Sequence, residues 1–158
     1  MKIEGFESID KLIAKFEKID DQTDKICHEA LYEGAGIIAD SIKARIEALP
    51  IQEKEDGSAP WGTPEKPLTG ITTAQKSGLI NGFGVAKHRN EGGAFTTSVG
   101  FSGVNSDGRP NAGVARSVES GSSFRRKNPF FRTGVNAAKA RAEKAMKDKI
   151  LNKMKEID

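Results

Sequence analysis

A chain of 158 residues with 36% apolar and 30% charged side chains and a net charge of +3 holds enough material for one hydrophobic core and too little for two. No apolar run approaches the ~20 residues of a membrane span, and the acidic beginning lacks the basic and then apolar regions of a secretory signal, so synthesis and retention in cytoplasm are expected. The single cysteine, Cys27, excludes an internal disulfide and a cysteine-rich zinc site, and on a helix it reads as a small buried thiol.

From the amino terminus, Phe6, Ile9, Ile13, Phe16 and Ile19 recur at three- and four-residue spacing and predict an amphipathic helix within residues 1–20. The polar run Asp20-Asp21-Gln22-Thr23 reads as a break. Ile26, Ala30, Ile37, Ile38, Ile42, Ile46 and Leu49 then predict a second helix, which Pro50 stops. Gly34 and Gly36 interrupt it, either for close approach of another backbone, which is the preferred reading, or for a bend.

Residues 51–70 are rich in proline, glycine and charge and have the period of neither helix nor strand, so they read as an exposed loop or mobile arm. Trp61 within it is either a packed anchor for the loop or a residue that finds its partner on assembly. Farther on, Phe95, Thr97, Val99 and Phe101 alternate with small polar residues as in a half-buried strand. Leu79 to Val85 and Val114 to Val118 are candidates for further strands, and Asn90 to Gly93 and Asn105 to Gly108 carry turn chemistry. A small antiparallel sheet is the expected result.

Beyond Pro129, Val135, Ala138, Ala142, Ala145, Met146, Ile150, Met154 and Ile157 mark a closing helix. The expectation is therefore one α+β domain over residues 1–158: a small antiparallel sheet packed by a long amino-terminal helical region and a carboxy-terminal helix, with a long exposed loop.

Charge is unevenly distributed. Residues 1–50 carry seven basic against eleven acidic side chains, a net of −4, whereas residues 115–158 carry twelve against five, a net of +7. Such a chain can pair its own ends, dock head to tail with copies of itself, or offer a basic face to nucleic acid.

Sites for chemistry are not legible. Lys76-Ser77-Gly78 has the wrong order for a phosphate-binding loop, and Gly82 to Lys87 lacks the third glycine and following helix of a nucleotide loop. His28 and His88 stand far apart in sequence, outside any two-histidine metal motif, and no Gly-x-Ser-x-Gly elbow occurs. Asp20-Asp21 at a helix boundary is explained by capping. No catalytic residue, metal or cofactor is implied, and the chain does not read as an enzyme.

One basic and aromatic cluster stands out: Arg125-Arg126-Lys127, with Arg116 and Arg132 nearby and Phe124, Phe130 and Phe131 interleaved. The cluster reads either as a solvated turn beside core phenylalanines or as a binding surface, for which a partner protein is the favoured occupant. A small nucleic-acid-binding module using this region is the alternative, and it predicts binding that falls steeply with salt. Glu119 is placed to fix a turn by accepting hydrogen bonds, and Gly121 to take a positive φ. Phe130 and Phe131 would seat the last helix, so Phe130→Ala should weaken folding, while charge reversal at Arg125 or Arg126 should chiefly impair assembly.

In order along the chain, a helix ending at Pro50, the segment Ser77-Gly78-Leu79, then Ala115, Val118, Glu119, Gly121 and Ser122, and finally Pro129, Phe130 and Arg132 resemble the tail-completion or head-to-tail joining proteins of long-tailed bacteriophages. That family looks like a helix closed by proline, a Thr-Gly-x-Leu segment, a β region, a Tyr-Ala-x-x-Val-Glu-Phe-Gly-Thr element and a Pro-Phe-Leu-Arg-Pro-Ala element leading into a final helix. Here Val114 stands for the tyrosine, Ser120 for the aromatic and Thr133-Gly134 for the Pro-Ala pair, and the Thr-Gly-x-Leu match lacks its x. The resemblance implies a small non-enzymatic α+β component of the virion neck or tail, assembled in the host cytoplasm. Its implied partners are the connector, the tail terminator and the tail tube, with self-association into a ring. The residues expected at the assembly interface are Trp61, Arg116, Glu119, Arg125, Arg126, Lys127 and Arg132, on a framework of Gly78, Leu79, Gly121, Pro129 and Phe130.

Overall fold

A computed structural model describes residues 6–92 and 94–157, with side-chain surroundings described for residues 17–20, 22–92 and 94–157. The fold is α+β. In chain order come α1 (Phe6–Glu47), α2 (Thr73–Gly82), β1 (Phe83–Val85), β2 (Arg89–Glu91), β3 (Ala94–Thr96), β4 (Val99–Phe101), α3 (Asn111–Ser120) and α4 (Phe130–Glu156).

The first correction to the sequence reading is that α1 is one helix of 42 residues, with no interruption at residues 20–23. Aspartate, glutamine and threonine lower helix propensity by only a few tenths of a kcal/mol each, too little to break a helix that packing sustains on either side. Thr23 turns its hydroxyl back to the Ile19 carbonyl at 2.6 Å, so its side chain is satisfied within the helix. The apolar stripe Phe6, Ile9, Ile13 and Phe16 lies outside the residues with described side chains.

Helix α4 runs antiparallel to α1, as the pairing of Gly134 with Ile42, Gly34 with Met146 and Lys153 with Glu29 establishes. Small residues set the approach: a Cβ on Gly134 would sit 3.0 Å from the Ile42 Cα, and Ala138 and Ala142 are fully buried on the same side of α4. The Ser41 hydroxyl donates to the Gly134 carbonyl at 2.8 Å across the seam. Gly34 makes room for the Met146 side chain rather than for another backbone, and Gly36 faces open space. Cys27 on this helix is half-buried.

The main core forms where α1 ends. Ile42, Ile46 and Leu49 meet Ile71, Leu79, Val114, Ala115, Val118 and Phe130, with Phe83, Val99, Phe101 and Phe131 around them. Helix α2 enters this core through a reciprocal cap in which the Thr72 hydroxyl accepts from the Gln75 N–H and the Gln75 side chain accepts from the Thr72 N–H, both at 3.1 Å.

Two further corrections concern strands. Val114 to Val118 is helical, part of α3, because Val114, Ala115 and Val118 bury one face at helical spacing. Leu79 to Val85 divides between α2 and β1. The alternating segment Phe95 to Phe101 also divides, into β3 and β4.

Those two strands belong to one interrupted antiparallel ribbon. Phe83, Gly84 and Val85 pair with Phe101, Gly100 and Val99, whereas Arg89, Asn90 and Glu91 pair with Thr96, Phe95 and Ala94. Continuing the first register would place Arg89 opposite Phe95, so one extra residue is accommodated between Ala86 and Arg89, as in a β-bulge. Tyr32 of α1 fills the gap: its hydroxyl accepts from the His88 N–H at 3.0 Å and donates to the Ala86 carbonyl at 3.1 Å. Backbone groups freed by the bulge thereby find partners. The turn Asn90 to Gly93 includes Gly93, which is outside the described residues, while Gly92 has φ +60°.

Candidate functional site

Helix α3 ends at Gly121, whose φ of 69° and ψ of −176° belong to a region that only glycine occupies readily. The next seven residues fold back so that Asn128 N–H reaches the Val118 carbonyl at 2.7 Å, and α4 begins at Phe130. Pro129, at the N-cap, supplies no side-chain cap. Glu119 supplies it from α3: its two carboxylate oxygens accept from the Phe131 and Arg132 N–H groups at 2.8 and 3.0 Å. A negative charge at the positive end of a helix, accepting hydrogen bonds from otherwise unpaired amides, welds the two helices at a fixed angle. The expected role of Glu119 as an acceptor fixing a turn is thus realised on backbone amides. We expect Glu119→Ala to lower stability by about 1–2 kcal/mol, as loss of an N-cap does, and Glu119→Gln, which keeps one oxygen acceptor, to lower it less. Urea denaturation of the two variants checks this.

The irregular segment 51–70 is tied down at both ends. Gln52 accepts from the Thr69 and Gly70 N–H groups at 2.7 and 3.1 Å, and Gln52 N–H donates to the Ile71 carbonyl at 2.8 Å. At the far side, Leu68 N–H donates to the Phe124 carbonyl at 2.8 Å and Arg126 N–H to the Leu68 carbonyl at 2.9 Å. The loop is therefore stitched edge to edge onto the turn between α3 and α4.

Arg125 departs from its expected place at an open interface. It is half-buried, and its guanidinium donates to the Gly70 carbonyl at 2.6 Å, which makes it a tether between loop and turn. Burial lowers its pKa below the ordinary arginine value, and the positive charge of Arg109 lowers it further. Charge reversal at Arg125 is therefore expected to damage the fold itself, in contrast to Arg126, whose side chain is exposed.

Arg116, Lys127 and Arg132 are exposed as well, around the same junction. Trp61 is 89% exposed, which removes the packed-anchor alternative. Beside it, Gly62 presses on the Phe124 backbone, and Phe124 is 56% exposed. Gly78 and Leu79 are framework: Leu79 is fully buried, and Gly78 lies against Asn105 and Asn111, where any Cβ would collide. Pro129 is exposed at the start of α4, and Phe130 is buried in the core.

One cluster escaped the sequence reading. His28 and His88, 60 residues apart, meet with Nδ1 and Nε2 at 3.1 Å, and Tyr32 stacks on His28 at a centroid distance of 4.6 Å. The four-residue spacing of His28 and Tyr32 on one helical face was a visible signal, but their partner came from the ribbon. Among the described residues, no group of three or more His, Cys, Asp or Glu side chains is arranged to hold a metal ion. Compared with known proteins, the chain matches no family model, no curated protein and no solved structure.

Proposed function

We propose that this chain is a non-enzymatic bacteriophage structural protein that completes the tail or joins it to the head, working in the virion neck or tail through contacts with the connector, the tail terminator and the tail tube. The observation that carries this reading is the pair Trp61 and Phe124. Two large aromatic side chains, 89% and 56% exposed, stand on neighbouring segments, where Gly62 lies against the Phe124 backbone and the Phe124 carbonyl accepts from the Leu68 N–H. Two exposed aromatic groups, with the exposed Arg126 and Lys127 following Phe124 in sequence, have the composition of a protein-binding hot spot.

The opposite charges of the two ends meet within the chain: Lys149 lies 3.7 Å from Glu33, and Lys153 lies 3.6 Å from Glu29. Such exposed pairs contribute little to stability. They nonetheless occupy lysines of α4 that a nucleic-acid-binding helix would present to phosphate, which supports a protein partner over the nucleic-acid alternative. Ring formation then relies on two different patches, with the aromatic corner as one of them.

Deletion of the gene from the phage or prophage that encodes it is expected to leave finished heads and finished tails unjoined in electron micrographs. Supplying the wild-type protein restores joined particles. The double variant Trp61→Ala and Phe124→Ala fails to restore them although it melts within a few degrees of wild type, because Trp61 is almost wholly in water and more than half of Phe124 is exposed. Infectious, joined particles made without the protein would end the proposal.

A further inference from the structure

Behind the α3–α4 turn, Arg109 and Arg125 line a cleft of about 250 Å³ together with Gln75, Pro110, Gly113, Val114 and Ser117. Its polar lining is unusual in sign. Among the described residues, no carboxylate lies within ion-pairing distance of either guanidinium, and no lining residue is acidic. Arg125 has one N–H engaged by the Gly70 carbonyl, leaving the rest of its fork. The side-chain oxygen of Gln75 is engaged by the Thr72 N–H, which leaves its amide nitrogen as a donor. Ser117 adds a hydroxyl, and Pro110, Gly113 and Val114 on the same side of α3 complete that wall.

Two cations held near each other repel, Arg125 half-buried and Arg109 more exposed, and among the described residues no carboxylate pairs with either; Arg125 is shifted accordingly, by burial first and by Arg109 second. An arrangement of this kind is stabilised by an anion with several acceptor oxygens. We propose that the Arg109–Arg125 cleft is a binding site for a phosphate dianion, either inorganic phosphate or the end of a phosphomonoester. The choice of a dianion follows from charge: two guanidiniums carry +2, and a single carboxylate would leave one of them uncompensated in a half-buried place. Guanidinium forks also match phosphate oxygens in pairs. The site does not depend on the assembly role, since the aromatic corner takes no part in it.

Thermal melting of the full chain near neutral pH, titrated with inorganic phosphate against chloride at equal ionic strength, tests the assignment. Phosphate is expected to raise the midpoint saturably. Arg109→Ala, whose exposed guanidinium makes no contact on which the fold relies, should weaken binding by about 10- to 100-fold, the worth of a charged hydrogen bond, while Arg116→Ala leaves it unchanged. A parallel titration with a nucleoside 5′-monophosphate separates the two sources: tighter binding than phosphate identifies a monoester, equal or weaker binding the free ion. Equal shifts with phosphate and chloride, an effect that survives Arg109→Ala, or acetate acting as well as phosphate would each overturn the proposal.

Discussion

Phe130→Ala is expected to destabilise the protein by about 3–5 kcal/mol, the range for truncating a buried aromatic ring. The ring is 3% exposed and stands where four elements meet, in one cluster with Ile42 and Ile46 of α1, Leu79 of α2 and Val118 of α3. Its edge meets Phe101 of the ribbon at a centroid distance of 6.2 Å and Phe131 at 6.5 Å. The cavity left by alanine cannot collapse easily, because Phe130 is the first residue of α4 and its backbone is fixed by the Glu119 cap on the next two residues. Guanidinium denaturation followed by far-ultraviolet circular dichroism measures the loss. Phe130→Leu should recover more than half of it. A midpoint unchanged by Phe130→Ala would show that α4 is seated chiefly through its alanines on α1.

Gly121→Ala is the second change with a large expected cost, on the order of 3 kcal/mol, and for a different reason. At φ 69° and ψ −176° an L residue is strained by about 1–3 kcal/mol. Steric conflict adds to this, since the new Cβ would lie 2.7 Å from the Lys127 nitrogen and 2.9 Å from both the Arg125 carbonyl oxygen and the Lys127 Cα. All three are backbone atoms, so relief requires the whole turn 122–128 to move. That movement would pull Arg125 from the Gly70 carbonyl and Arg126 N–H from Leu68, loosening the loop together with the turn. Limited proteolysis within residues 51–70 should therefore accelerate in Gly121→Ala well beyond what its lower melting temperature accounts for. Gly36→Ala is the matched control: it lies inside α1 with nothing near its Cβ, and alanine is the better helix former there.

The proposed assembly role and the proposed anion site use different faces of one construction. Arg125 links them physically, through its hydrogen bond to the loop that carries Trp61 and its position in the cleft with Arg109. A phosphate held there would reinforce the tether, and the aromatic corner would be presented on a stiffer base. The two tests remain separable, because Arg109→Ala addresses the cleft alone and Trp61→Ala the corner alone.

Much of the helical framework could be read directly. The stripe Ile42, Ile46 and Leu49 before Pro50, and the buried alanines of α4, carry a 3.6-residue period that survives in any context that offers an apolar face. Glu119 and Gly121 were legible as turn-forming residues, because a carboxylate two residues before a glycine near a helix end has few other uses. Errors arose where local pattern was ambiguous. Val114, Ala115 and Val118 fit a short strand or a helix equally at five residues, and only their fit against Leu79 and Phe130 made them a helix. The Thr72-x-x-Gln75 capping box was in the sequence and was passed over, although it announces α2.

Sequence alone determined that the protein is an α+β chain with a helical amino-terminal region, an irregular middle arm and a closing helix, because helical periodicity, proline and glycine act through bonds and neighbours a few residues away; that the first region is one unbroken helix was decided by packing. Tertiary structure alone decided that Arg125 is a tether, that Trp61 stands in solvent, that Tyr32 and His28 grip the ribbon at His88, and that Arg109 and Arg125 share a cleft. Each of those outcomes joins residues at least 16 apart or depends on what surrounds a side chain. Local spacing carries no record of either.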